Sequence, residues 1–336
     1  MKDDSMTASV APTDPPFVSH GSLPTPEFVQ QALEDGYNLF RDNREGQNSQ
    51  VYPALSRVPS ELFGICLVGA NGNVFSIGDS GHEFTIMSVS KPFVFALICE
   101  LIGVEEARNK LGANATGYPF NSLAGIERQA RGITNPMVNS GAIATTSLVP
   151  GASRDEKWEL LLSTLSKFAG RELALNEEVF ESASATNFRN QSIARMLQSY
   201  GSIYCDPAEA VDLYTRQCSL NVSARDLAVM AATLADGGVN PVTREQVVCP
   251  SVCHQVLAVM ITAGLYETSG DWLYNIGLPG KSGIGGGILA VSPGKGGLGT
   301  FAPPLDKEGN SVKGQLVAKY LSEQIGMDLL NSKPMV

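Results

Sequence analysis

Ser88 and Lys91 stand three residues apart in Ser88-Val89-Ser90-Lys91, a spacing that puts two side chains on one face of a helix. The pair has the makings of a nucleophile and its base. A serine hydroxyl needs a partner to take its proton, and lysine serves once burial or nearby positive charge has removed its own. Pro92 is tolerated in a first helical turn, and a helix starting here would support negative charge developing at Ser88. A second element, Lys281-Ser282-Gly283, lies in a glycine-rich run. A K-[ST]-G triplet on a strand recurs beside S-x-x-K serines in acyl-transfer enzymes. Its backbone N–H groups face the oxyanion and its lysine adds positive charge.

Other patterns point elsewhere and fall short. Asn275 to Ser282 (NIGLPGKS) matches a phosphate-binding loop except that Asn275 replaces the first glycine. No apolar strand ending in aspartate accompanies it to hold magnesium. Cys249-Pro-Ser-Val-Cys253-His254 is one residue too long for haem attachment and offers too few ligands for a metal. His20, His82 and His254 fit no metal or triad spacing. A Ser-His-Asp mechanism is therefore disfavoured, and neither a metal nor another cofactor is expected.

The elements that must carry these residues follow from local pattern. Thr25-Pro26-Glu27 opens a first helix. FGICLVG and VFSIG, separated by Ala70-Asn71-Gly72-Asn73, read as a hairpin. Residues 93–244 are mainly helical: Trp158, Leu161, Leu162, Leu165 and Phe168 recur at helical spacing. Ser223 and Asp226 form a capping pair for a helix ended by Gly237 and Gly238. Strands return after Leu278, and an amphipathic helix follows Asn310. The expected fold is α+β: a mostly antiparallel sheet built from residues 23–92 and 245–336, flanked by helices, with a helical lobe at 93–244 inserted. Such a fold has a cleft where lobe meets sheet. Residues 1–22 read as a disordered tail.

Composition narrows the function classes. The 336 residues are 43% hydrophobic and 17% charged, enough for a proper core. A net charge of −10 without a basic cluster argues against nucleic-acid binding. No apolar run approaches the roughly 20 residues that span a bilayer, and no secretory signal is visible. Six scattered cysteines then read as free thiols of a reducing, cytoplasmic environment.

Taken together, the segments MSVSKPF, FNSLAGI, NPMVNSGAI, RNQSIA, LYTRQCSL, GLPGKSGIGGGILAV and FAPPLDKEGNSVKG resemble the serine-dependent glutaminase family in one continuous order from about Leu23 to Gly314. The resemblance implies a β-lactamase-like fold, hydrolysis of L-glutamine to L-glutamate and ammonia without a cofactor, and a homodimer or homotetramer. It implies that Ser88 is the nucleophile and Lys91 its activating partner. Asn139, Asn190, Tyr214 and Tyr266 resemble substrate contacts, as does Tyr52. Either of Tyr214 and Tyr266 could share in a proton relay. Ile284 resembles the residue whose backbone N–H completes an oxyanion hole with that of Ser88; the family usually has valine there, a change that spares a main-chain contact.

One position departs from the pattern. Ala183, in Ser182-Ala183-Ser184-Ala185-Thr186-Asn187-Phe188-Arg189-Asn190, stands where the family carries a glutamate that receives the substrate's α-ammonium. A charge-assisted hydrogen bond is worth about 1.5–3 kcal/mol, or roughly one to two orders of magnitude in affinity. Three outcomes are open. Glutamine is used poorly, as by an impaired glutaminase-like protein; Glu181 substitutes; or the substrate is a related amide without a free α-amino group.

Overall fold

Alternation along three strands sets the layering. The computed structural model describes residues 21–332. All but two residues of the tail expected at 1–22 lie outside the described residues, as does His20. Strands β1 (Gly64–Gly69) and β2 (Val74–Gly78) form the hairpin expected around Asn71-Gly72. Two short strands, β3 (Phe84–Thr85) and β4 (Asn221–Val222), pair with each other. Strands β5 (Gly280–Ser282), β6 (Gly287–Ser292) and β7 (Gly296–Phe301) complete a five-stranded antiparallel sheet of order β2-β1-β7-β6-β5.

On one face, Ile65, Leu67, Ile288, Ala290 and Leu298 pack against helices Pro26–Phe40, Ser269–Ile276 and Val312–Gln324. On the other, Cys66 and Val68 meet Ala228, Val229 and Ala232 of helix Ala224–Ala235. This helix falls within the segment read as lobe, yet it lies flat on the sheet. Glycine on β7 makes that approach possible. A Cβ on Gly299 would sit 2.1 Å from the Ala224 carbonyl oxygen, and one on Gly297 would sit 2.3 Å from Ala232 N. An alanine-rich helix and a glycine-rich strand therefore fit only each other. The helix is held at its start by the Ser223–Asp226 capping box. Arg171 clamps the Asp226 carboxylate at 2.8 and 2.9 Å.

The remaining helices form a second packed body around Lys91–Ile102, whose residues Lys91 to Cys99 are all buried. Phe93 and Phe168 meet at 4.9 Å between ring centroids, with Leu161 and Leu165 in the same core. The phosphate-loop look-alike is resolved by topology. Asn275 lies in helix Ser269–Ile276, Gly277 ends it in a left-handed turn, and β5 follows. A phosphate cradle runs strand to helix, the reverse order. Cys249 and Cys253 belong to the start of helix Pro250–Ala263, and all six cysteines are unpaired. Among the described residues no helix is long and apolar enough to cross a membrane.

Candidate active site

The chain enters the site through β3 and turns sharply. Ile86 N donates to Leu220 O at 2.9 Å, and Met87 takes a left-handed φ of 48°, an uncommon state for a side chain of this kind. A 3₁₀ turn, Met87–Ser90, then runs straight into the helix beginning at Lys91. Ser90 Oγ donates back to Met87 O at 2.9 Å, and Gln217 Nε2 donates to Ser90 Oγ at 3.3 Å. The second serine of the motif thus holds the turn that presents the first.

Across from this turn passes the loop after β5. A Cβ on Gly285 would lie 2.4 Å from Thr85 O, and one on Gly283 would lie 2.9 Å from Ile86 O. The glycines of KSGIGGG are what let Ile284 reach the cavity beside Ser88.

Ser88, Tyr52, Asn139, Asn190, Tyr214 and Ile284 all line one cavity of about 180 Å³. That is below the roughly 300–1,000 Å³ typical of drug-sized ligands and suits a small molecule. The lobe helices Asn139–Ser147, Glu177–Thr186, Phe188–Ser199 and Pro207–Cys218 supply about half of its wall. Ser88 is 8% exposed.

Lys91 and Tyr266 lie behind the wall. Lys91 Nζ, 1% exposed, donates to Asn139 Oδ1 at 2.8 Å and Met137 O at 3.4 Å. Asn139 also accepts from the Tyr214 hydroxyl at 3.3 Å and donates through Nδ2 to Asn190 Oδ1 at 3.1 Å. Of the two asparagines in NPMVN, Asn135 is spent on structure: its amide donates to Ala113 O, Asn114 O and Thr262 Oγ1. Tyr266, at a left-handed φ of 53°, donates to Ser282 O at 3.3 Å. The Ser88 hydroxyl partly offsets the rise that burial imposes on the Tyr266 phenol.

Burial controls the protonation of this cluster. It pulls the Lys91 ammonium down to about 8, against a smaller opposing pull from Cys218. It pushes the phenols of Tyr214 and Tyr266 well above their usual range and that of Tyr52 to about 12. Lys281 differs from its expected role at the oxyanion. It is 0% exposed and outside the cavity wall, with Nζ donating to Gly264 O at 2.8 Å and Ser282 O at 2.7 Å. Burial, then Lys91, holds its ammonium well below the usual lysine value. Its hydrogen bonds fix the carbonyl that also receives Tyr266.

Among the wall residues that the motifs did not mark are Phe120, Arg189 and Cys218. Cys218 was legible in principle, because it follows Tyr214 by four residues on one helix. Its thiol sits 3.9 Å from Ser90 Oγ. Ala183 is 3% exposed and faces the cavity, whereas Glu181 is exposed on the same helix and lines no part of it.

Comparison with known proteins gives the family. A glutaminase family model matches residues 46–330. Glutaminase 2 of Yersinia pestis is 66% identical over 318 residues, 95% of this chain and 94% of that protein. A glutaminase of Escherichia coli O81 (strain ED1a) is 45% identical, covering 90% of this chain and 97% of that one. Among solved structures, the probable glutaminase ybaS superposes with a TM-score of 0.91 at 43% identity, over 92% of this chain and 100% of its own. Mglu in its glutamate form gives 0.83 at 35% identity, over 93% of this chain and 71% of its own. The chain therefore belongs to the glutaminase family of enzymes.

Proposed function

We propose that the protein hydrolyses the side-chain amide of a small carboxylic acid of the glutamine type by a Ser-Lys acyl-enzyme mechanism. The observation that carries this reading is the position and environment of Lys91. It is the buried base one turn from Ser88, and its neutral form becomes available near pH 8.

In the first step neutral Lys91 takes the Ser88 proton as Oγ attacks the amide carbon. Asn139 holds Lys91, and Tyr266 braces the Ser282 carbonyl behind the site. The oxyanion meets the N–H groups of Ser88 and Ile284. A helix leaves its first N–H groups without intrahelical partners, and Ser88 is at that place in its 3₁₀ turn, where Val89 N is bonded to Ile86 O. The C–N bond breaks and Lys91 returns its proton to the departing ammonia. Water then attacks the ester, with Lys91 again taking the proton, and Ser88 is released. Each step uses donors already fixed by the fold.

The relatives are named glutaminases, so ammonia release from L-glutamine is the first assay. A fluorophosphonate probe gives an independent test. Labelling that maps to Ser88 and disappears in Ser88→Ala supports the reading; labelling that persists in that variant overturns it.

A further inference from the structure

An α-amino acid brings an amide, a carboxylate and an ammonium, and each must find a partner when it enters a small cavity. Among the described residues, those lining this cavity include one cation, Arg189, and no carboxylate. Neutral polar residues complete the wall: Asn121, Asn139, Thr186, Asn187 and Asn190, with Thr186 and Asn187 already donating to Ser182 O and Thr215 Oγ1. The acids closest in sequence to Ala183, and Glu267 beside Phe120, are engaged or turned away. Glu267 accepts from Phe120 N at 2.8 Å and is not part of the wall. Glu178 is paired with Arg57, and Glu181 is exposed. Ala183 offers the cavity only a methyl group. Behind the wall, Lys91 adds a second basic group.

A carboxylate entering here gains hydrogen bonds and a favourable field, while an ammonium gains no charged partner and loses its water. We propose that the site selects amides of dicarboxylic acids in which the nitrogen next to the free carboxylate is absent or uncharged. L-Glutamine is then a secondary substrate. The proposal rests on the Ser88 amidohydrolase reading and adds its substrate class. No new chemistry is required: the same amide bond breaks, ammonia leaves, and the product is a dicarboxylate.

Two sources could supply this chemistry, a deamino acid and an N-acylated amino acid. The test measures kcat/KM for ammonia release at pH 7 from glutaramate, N-acetyl-L-glutamine and L-glutamine. The proposal expects at least one of the first two to exceed L-glutamine by about tenfold, the scale of one charge-assisted hydrogen bond. Glutaramate leading identifies the deamino class, and N-acetyl-L-glutamine leading identifies the acylated class. L-Glutamine equal to or above both overturns the proposal while leaving the amidohydrolase intact. No ammonia from any of the three, with the protein folded, overturns both.

Ala183→Glu is expected to raise kcat/KM for L-glutamine selectively, mainly through KM, and Ala183→Gln is not. If the buried glutamate prevents folding, glutarate and L-glutamate are compared as competitive inhibitors of the wild type. Tighter inhibition by glutarate supports the proposal, and tighter inhibition by L-glutamate overturns it.

Discussion

Lys91 donates to the side-chain oxygen of Asn139 at 2.8 Å, so its nearest partner is a neutral amide rather than a carboxylate. An acid at that place would favour the ammonium and keep the proton on. The amide orients the lysine without doing so, and burial is left to lower its pKa to about 8.

The pH dependence of the reaction follows. Lys91 is a base only when neutral, so kcat/KM should rise with pH and level off above about 8. Asn139→Asp places a carboxylate against the ammonium and should move that limb upward by about one unit or more. An acid limb unchanged in this variant would show that a group other than Lys91 controls the rate.

The same lysine should cost stability. Its pKa falls from 10.5 unfolded to about 8 folded, so the folded state holds fewer protons between those values. Stability is lowest below the folded pKa and rises as pH climbs from about 8 toward 10.5. Lys91→Met removes the penalty and should raise the unfolding free energy at pH 7 by on the order of 3 kcal/mol, while abolishing turnover. Urea denaturation at pH 7 and pH 10 is the check: the gain should shrink at the higher pH.

Two glycines should separate site from scaffold. At Gly285 a methyl group meets Thr85 O at 2.4 Å, beside the turn that carries Ser88. Gly285→Ala should therefore lower kcat by about 100-fold or more through misplacement of Ile284. At Gly299 the methyl meets Ala224 O at 2.1 Å in the middle of the sheet. Gly299→Ala should destabilise by about 3 kcal/mol or more. Thermal melts and steady-state kinetics on both variants distinguish the two effects.

These glycines also show where the sequence was legible. The glycines of KSGIGGG were a local signal for close backbone approach, which Gly283 and Gly285 make to Ile86 O and Thr85 O. The hairpin, the capping box and the helix after Ser88 were local signals. Helix Ala224–Ala235 on the sheet was not. Its fit depends on alanines in one segment facing Gly297 and Gly299 in another, and neither run implies the other. Lys281 was hidden for a related reason. The motif names the residue, but only the packing of Gly264 against β5 turns its ammonium away from the cavity. Asn135 and Asn139 differ in role though not in type, and the difference is set by which carbonyls surround each.

The most direct test of the central claim is ammonia release by purified protein, followed with L-glutamine and glutaramate side by side, in wild type and Ser88→Ala. A Ser88 nucleophile predicts release from at least one amide in the wild type and a fall of at least about 10⁴-fold in the variant. Undiminished release from Ser88→Ala would contradict the mechanism outright.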